Sequence, residues 1–343
     1  MPPPNQKESP LSELHKFLFE GLPVRGMIVR LTDAWQEILA RRAANTTTGA
    51  YPVPVAELLG EMTAAAALMQ ANIKFKGSLI LQIFGDGPVK VAVAEAKPDM
   101  SLRSTATVPG TVAPDARLPQ MVNLNGRGRC AITLEPADRV PGQQTYQGVV
   151  PLAGHDGKPL TELSDVLQLY MLQSEQLDTT LVLAADDKVA AGLLIQRLPT
   201  KGEANLAGSA EAAVQGISLE DRMGHNEDYN RISILSKSLT REELLGLDVD
   251  TILRRLFWEE KLLRFEPQVG MLGPRFRCTC SRERVAGMIR GLGVQEAEEI
   301  LAERGDIEVG CDFCGKQYRF DAVDAAQIFT APGDQLPGSS TVQ

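Results

Sequence analysis

Ser78-Leu-Ile-Leu-Gln-Ile-Phe84, Gly85-Asp-Gly-Pro88 and Val89-Lys-Val-Ala-Val-Ala94 follow one another without a break. Two short apolar runs flank a stretch with two glycines and a proline, a pattern that predicts a tight β-hairpin. Such a turn makes its strands antiparallel neighbours. The glycines do not read as a phosphate loop, because no Lys-Ser/Thr follows and no helix begins there. Working outward, further strands are expected at 100–108, 130–134, 146–150, 179–185 and 190–198. Helices are expected at about 33–43, capped by Thr32 or Asp33, at Val55 to about Ala71, and around Leu160–Gln173. The second is apolar around most of its circumference, as a buried central helix is. Residues 11–31 read as a short helical turn leading into a strand. Runs of strands with helices inserted, without regular βαβ alternation, define an α+β domain over 11–199.

Beyond it the composition changes. Residues 201–218 are rich in Gly, Ala, Ser and Gln. Thr240-Arg-Glu-Glu243 is a capping box followed by Leu244, Leu245 and Leu247. Ile252, Leu253, Leu256 and Phe257 then fall on one helical face. Residues 200–273 hold 9 basic and 13 acidic side chains, which describes a charged, metastable helical linker. A last folded unit spans 274–330, and the ends, 1–10 and 331–343, read as disordered tails.

The whole chain has 343 residues, 35 basic and 44 acidic, for a net charge of −9. That balance argues against binding nucleic acid, whose partners usually carry a basic face. No apolar run is long enough to span a membrane, and the N-terminus lacks the apolar core of a secretory signal. A cytoplasmic location is expected. Cytosolic thiols stay reduced, so five cysteines there are a poor disulfide framework. Four of them form Cys278-Thr-Cys280 and, 30 residues on, Cys311-Asp-Phe-Cys314. Four soft donors in two close pairs suit one tetrahedral zinc ion per chain, and Gly315 supplies the left-handed residue that a metal knuckle needs. Closed sulfur coordination leaves no position for catalytic water, so the site is structural or a switch. Each pair is close enough in sequence to form a disulfide. Spacing alone favours a permanent structural zinc.

The residues around the cysteines shift that balance. Phe276-Arg-Cys-Thr-Cys-Ser-Arg-Glu-Arg284, Ile300-Leu-Ala-Glu303 and Cys311-Asp-Phe-Cys-Gly-Lys-Gln-Tyr-Arg-Phe320 resemble the zinc domain of the heat shock protein 33 family. Gly85–Pro88, Tyr146-Gln-Gly-Val149, Gln173-Ser-Glu-Gln-Leu177, Gly192-Leu-Leu-Ile-Gln196 and Leu253-Arg-Arg-Leu-Phe-Trp-Glu-Glu260 match that family's pattern in the same order, covering about 11–330. Val285 stands where a further, non-ligand cysteine can occur in relatives. The resemblance implies a redox-regulated, ATP-independent holdase, not an enzyme. Reduced, Cys278, Cys280, Cys311 and Cys314 would hold zinc and the chaperone would be inactive. Oxidation would form Cys278–Cys280 and Cys311–Cys314 disulfides, release the metal and unfold the linker. Unfolding clients would then bind under oxidative stress, to an active homodimer. Leu244, Leu245, Ile252, Leu253, Leu256 and Phe257 are the client-binding candidates, buried when reduced and exposed when oxidised.

Two other classes compete. A zinc-ribbon nucleic-acid module is disfavoured because 274–330 holds 8 basic and 10 acidic residues, to which a tetrathiolate zinc adds about two negative charges. A thiol oxidoreductase would want a Cys-x-x-Cys opening a helix, whereas this one follows the strand-like Ile307–Gly310. Cys130 reads as a small buried hydrophobe on a strand. His15, His155 and His225 read as surface or capping residues. Arg25, Arg30, Arg127 and Arg129 could make a small basic patch.

Overall fold

The computed structural model describes residues 10–45, 48–138, 145–198 and 227–330. The expectations for 201–218, the tail at 331–343 and nearly all of that at 1–10 therefore lie outside the described residues. The chain divides into two compact units, residues 1–277 and 278–343.

The larger unit is built on two sheets. The hairpin forms as β3 (Gly77–Phe84) and β4 (Val91–Ala96), paired antiparallel with Phe84 opposite Val91. Leu79, Leu81 and Ile83 alternate into the core, and the facing positions on β4 are Ala92, Ala94 and Ala96. β4 starts two residues later than expected because the turn is pinned elsewhere: Val89 N donates to Met121 O at 3.0 Å and Asp86 N to Val122 O at 3.2 Å. β5 (Ser101–Thr107), β6 (Arg129–Pro136) and β7 (Tyr146–Pro151) extend this sheet. The other sheet contains β1 (Glu13–Phe19), β2 (Val24–Leu31), β8 (Thr179–Ala185) and β9 (Ala190–Arg197). Helix α2 (Val53–Asn72) packs against strands of both sheets, buried along most of its length. α1 (Asp33–Ala43), α3 (Leu118–Val122) and α4 (Leu163–Glu175) complete this α+β core.

Residues 13–19 are a strand, not the helical turn expected there. Leu14 belongs to the core under α2, while Phe17 and Phe19 belong to a second core on the opposite face of the sheet. A strand buried on both faces loses the alternation that identifies strands.

That second core brings in the segment read as a connector. α5 (Glu227–Lys237), α6 (Arg241–Gly246) and α7 (Val249–Phe257) lay Tyr229, Ile232, Leu244, Val249, Ile252, Leu253, Leu256 and Phe257 onto Phe17, Phe19, Ile28, Leu193 and Ile195. The capping box forms as spelled, with Glu243 N on Thr240 Oγ1 at 3.3 Å and Thr240 N on Glu243 Oε2 at 3.0 Å. After α7 the rest of the expected helical linker forms short strands and a 3-10 turn at Gly270–Leu272. β10 (Leu262–Arg264) and β11 (Gln268–Val269) pair with β1, and β12 (Arg275–Phe276) runs parallel to β5. Arg275 and Phe276, expected in the last unit, therefore pair within the first.

The smaller unit consists of α8 (Arg282–Leu292), α9 (Val294–Arg304), a two-stranded sheet of β13 (Ile307–Gly310) and β14 (Gln317–Phe320), and α10 (Ala322–Phe329). Its core is small: Val285, Ile289, Ala297, Ile307, Tyr318, Phe320, Ala325 and Ile328.

Candidate metal centre

Two local devices place the four cysteines. Ser281 caps α8 by accepting from Arg284 N at 3.3 Å, and Arg284 Nη1 reaches back to Thr279 O and Oγ1, both at 2.9 Å. The Cys278-Thr-Cys280 segment is thus folded against the start of a helix. Cys311 and Cys314 sit in the turn between β13 and β14. Gly315 N donates to Cys311 O at 2.8 Å, and Cys311 N to Lys316 O at 2.9 Å. Gly315 has φ +74, a conformation costly for a residue with a β-carbon.

The four Sγ atoms lie within 4.8 Å of one another. Cys278 Sγ is 3.6 Å from Cys311 Sγ, and Cys280 Sγ is 3.4 Å from Cys314 Sγ. All four are free thiols, and these separations are far above the ~2.05 Å of a disulfide. They approach the ~3.8 Å edge implied by a tetrahedron with ~2.3 Å zinc–sulfur bonds. The donor set therefore fits zinc.

The sulfurs are not equivalent. Burial works to raise the Cys280 thiol, but the Tyr318 hydroxyl, donating at 3.1 Å, and the neighbouring sulfurs outweigh it and bring Cys280 down to about 7. Cys311 and Cys314 are held above the usual thiol range, by desolvation first. The bond to Cys280 raises Tyr318 in turn. With Cys280 lowered and Cys311 and Cys314 raised, a metal bound by these thiols would displace protons on binding. Around the site, Arg282 stacks 4.1 Å over the Phe320 ring, pairs with Asp324 at 2.7 Å and donates to Arg319 O at 2.7 Å. One side chain thereby ties α8 to β14 and α10.

The other singled-out residues lie in the larger unit. Leu244, Ile252, Leu253, Leu256 and Phe257 are buried in the second core, and Leu245 is half-buried against it. Cys130 is fully buried on β6, and burial pushes its thiol up to about 12. His15 is not a surface residue. It is 6% exposed, bonded to Glu13 Oε2 at 2.8 Å and 3.4 Å from Arg264 Nη2. His155 contacts Gln173 at 3.4 Å on the surface, and His225 lies outside the described residues. Three of the four arginines are engaged with nearby groups: Arg25 grips Gln196, Arg30 holds the Leu244 and Leu245 carbonyls, and Arg129 Nη1 donates to Gly128 O at 2.7 Å.

Tyr318 is the contributor that the spacing of the cysteines did not reveal. Its signal was present in Gln317-Tyr-Arg-Phe320, a short alternating run after a glycine turn. Among the described residues no helix is long and apolar enough to cross a membrane.

Fold and site together define a two-unit α+β protein with a cluster of four cysteines, able to hold a metal ion, in its smaller, C-terminal unit. The chain belongs to the Hsp33 family, whose model, described as "Hsp33 protein", matches residues 12–321. It is 44% identical to the 33 kDa chaperonin of Chromobacterium violaceum over 317 residues, 92% of this chain and 93% of that one. The 33 kDa chaperonin of Methylobacillus flagellatus is 39% identical over 328 residues, 94% and 97% of the two chains. Among solved structures, the Hsp33 homologue from Thermotoga maritima aligns with a TM-score of 0.68 at 20% identity, covering 93% of this chain and 97% of that one. At that identity the likeness speaks for the fold.

Proposed function

We propose that this chain is an ATP-independent holdase chaperone, held inactive while its cysteines are reduced and zinc-bound and activated by their oxidation. Relatives covering over nine-tenths of the chain are named chaperonins, which supports the chaperone reading. The observation that carries the switch is the coexistence of four free thiols in one cluster with a buried apolar layer at 229–257.

In the reduced form Cys278, Cys280, Cys311 and Cys314 would hold one zinc ion. Bound there, the metal would cross-link a unit whose own core is too small for much independent stability. An oxidant closes the Cys278–Cys280 and Cys311–Cys314 disulfides, the metal is lost, and the unit unfolds. Metastable helices α5 to α7 then leave the sheet, and Leu244, Leu245, Ile252, Leu253, Leu256 and Phe257 become available to unfolding clients. Trp258, which directly follows Phe257 and is exposed, extends the apolar surface. The oxidised protein acts as a homodimer in the cytoplasm, without nucleic acid or membrane.

The test is suppression of aggregation of a heat-denatured client by reduced, zinc-loaded protein and by peroxide-treated, zinc-free protein. Activity confined to the oxidised form is expected. Equal activity in both forms, or none in either, removes the switch and leaves zinc as a structural staple.

A further inference from the structure

Tyr318 lies on β14 opposite Val309, 5% exposed, with its ring in the core of the small unit. Phe320, two residues on, fills the same core without a hydroxyl. Packing alone would thus be served by phenylalanine at 318. A buried hydroxyl is costly unless it is bonded, and here the bond goes to Cys280 Sγ at 3.1 Å. The other pair is served differently: the amides of Phe313 and Cys314 bond to Cys311, and that of Lys316 to Cys314. Such backbone donors persist whatever the side chains are, whereas the donor to Cys280 can be removed by one substitution.

A thiolate reacts with a hydroperoxide by giving up a sulfur lone pair, and a hydrogen bond to that lone pair lowers its nucleophilicity. We propose that Tyr318 is a positioning residue that orients Cys280 Sγ toward the metal and withholds its lone pair from oxidant, so that it restrains oxidation of the Cys278–Cys280 pair. The inference rests on the redox reading above. The hydroperoxide passes one oxygen to the Cys280 thiolate, giving a sulfenic acid as the O–O bond breaks. Cys278 thiolate then attacks that sulfur, the S–S bond forms and hydroxide leaves. Two thiolates, one hydrogen peroxide and two protons become one disulfide and two waters, and two electrons pass from sulfur to peroxide.

The experiment compares the full-length chain with Tyr318→Phe, both reduced and metal-loaded. Hydrogen peroxide is added, zinc release is followed with a chromogenic chelator, and alkylation with mass spectrometry reads oxidation at each cysteine. Loss of an outer hydrogen bond at a metal site typically costs about 10–100-fold in metal affinity or activity; an effect at the low end of that scale, about tenfold faster Cys280 oxidation with Cys311 little changed, is expected here. In the cobalt-loaded proteins the sulfur-to-metal charge-transfer band should move to longer wavelength in the variant, as a thiolate freed of its donor is easier to oxidise. Unchanged Cys280 oxidation and an unchanged band would overturn the proposal. So would equal acceleration at all four cysteines with a lowered thermal midpoint, the pattern of a loosened core. Neither readout involves client binding, so they stand apart from success or failure of the chaperone assay.

Discussion

Glu61 lies half-buried on α2, four residues beyond Glu57, which pairs with Arg241 at 2.6 Å. Burial first, then Glu162 and Glu57, push its carboxyl from 4.5 up to about 8, against the pull of Arg241. The folded protein therefore keeps a proton on Glu61 that the unfolded chain releases above 4.5. The stability this contributes is full below about pH 4.5 and is lost as pH rises through about 8. Glu61→Gln fixes the neutral form. Thermal unfolding should show the wild type losing midpoint between about pH 5 and pH 9 by several degrees more than the variant does, at about 2–4 °C per kcal/mol for a unit this size. Parallel curves would show that Glu61 does not titrate in this window. The linkage was not legible in the sequence, because Glu57 and Arg241 are 184 positions apart. Tyr318 and Cys280 stand 38 apart, and neither position marks the other. The four cysteines were legible because metal chemistry itself dictates their pairwise spacing.

Elements were readable in proportion to how local their signals are. The β3–β4 hairpin, α2 and the capping box before α6 each carry their cause within a few residues. β1 does not, since its two faces serve different cores, and the short strands β10 to β12 exist only through pairing with β1 and β5. The packing of α6 also depends on a distant residue. Its terminal carbonyls would be left without partners, but Arg30 on β2 donates to Leu244 O at 2.6 Å and to Leu245 O at 3.0 Å. Arg30→Ala leaves these carbonyls unserved, a loss of about 1–3 kcal/mol. Hydrogen exchange should then quicken across 241–257 and stay unchanged in β3, whose partners are β4 and β6. Uniform quickening in both regions would mean that Arg30 supports the whole sheet and not the helical layer.

At the scale of the whole molecule the two units differ in what holds them. The larger has a core running from Leu14 to Leu194 around α2, plus a second one under α5 to α7. Among the described residues the smaller has eight buried apolar side chains in its core and four thiols in one cluster, and domains of such size commonly need a metal or a cross-link. Chelating the metal under reducing conditions should therefore remove amide protection from β13, β14 and α8 while α2, β3 and β9 keep theirs. Cys130, fully buried on β6, should stay unreactive toward an alkylating reagent while Cys278, Cys280, Cys311 and Cys314 become modified. Readdition of zinc before alkylation should restore both protection and thiol shielding. If β13 and β14 keep their protection in the chelated protein, the small core suffices alone. Oxidation could not then act by unfolding the small unit, and any gain in client binding would have to come from the disulfides themselves.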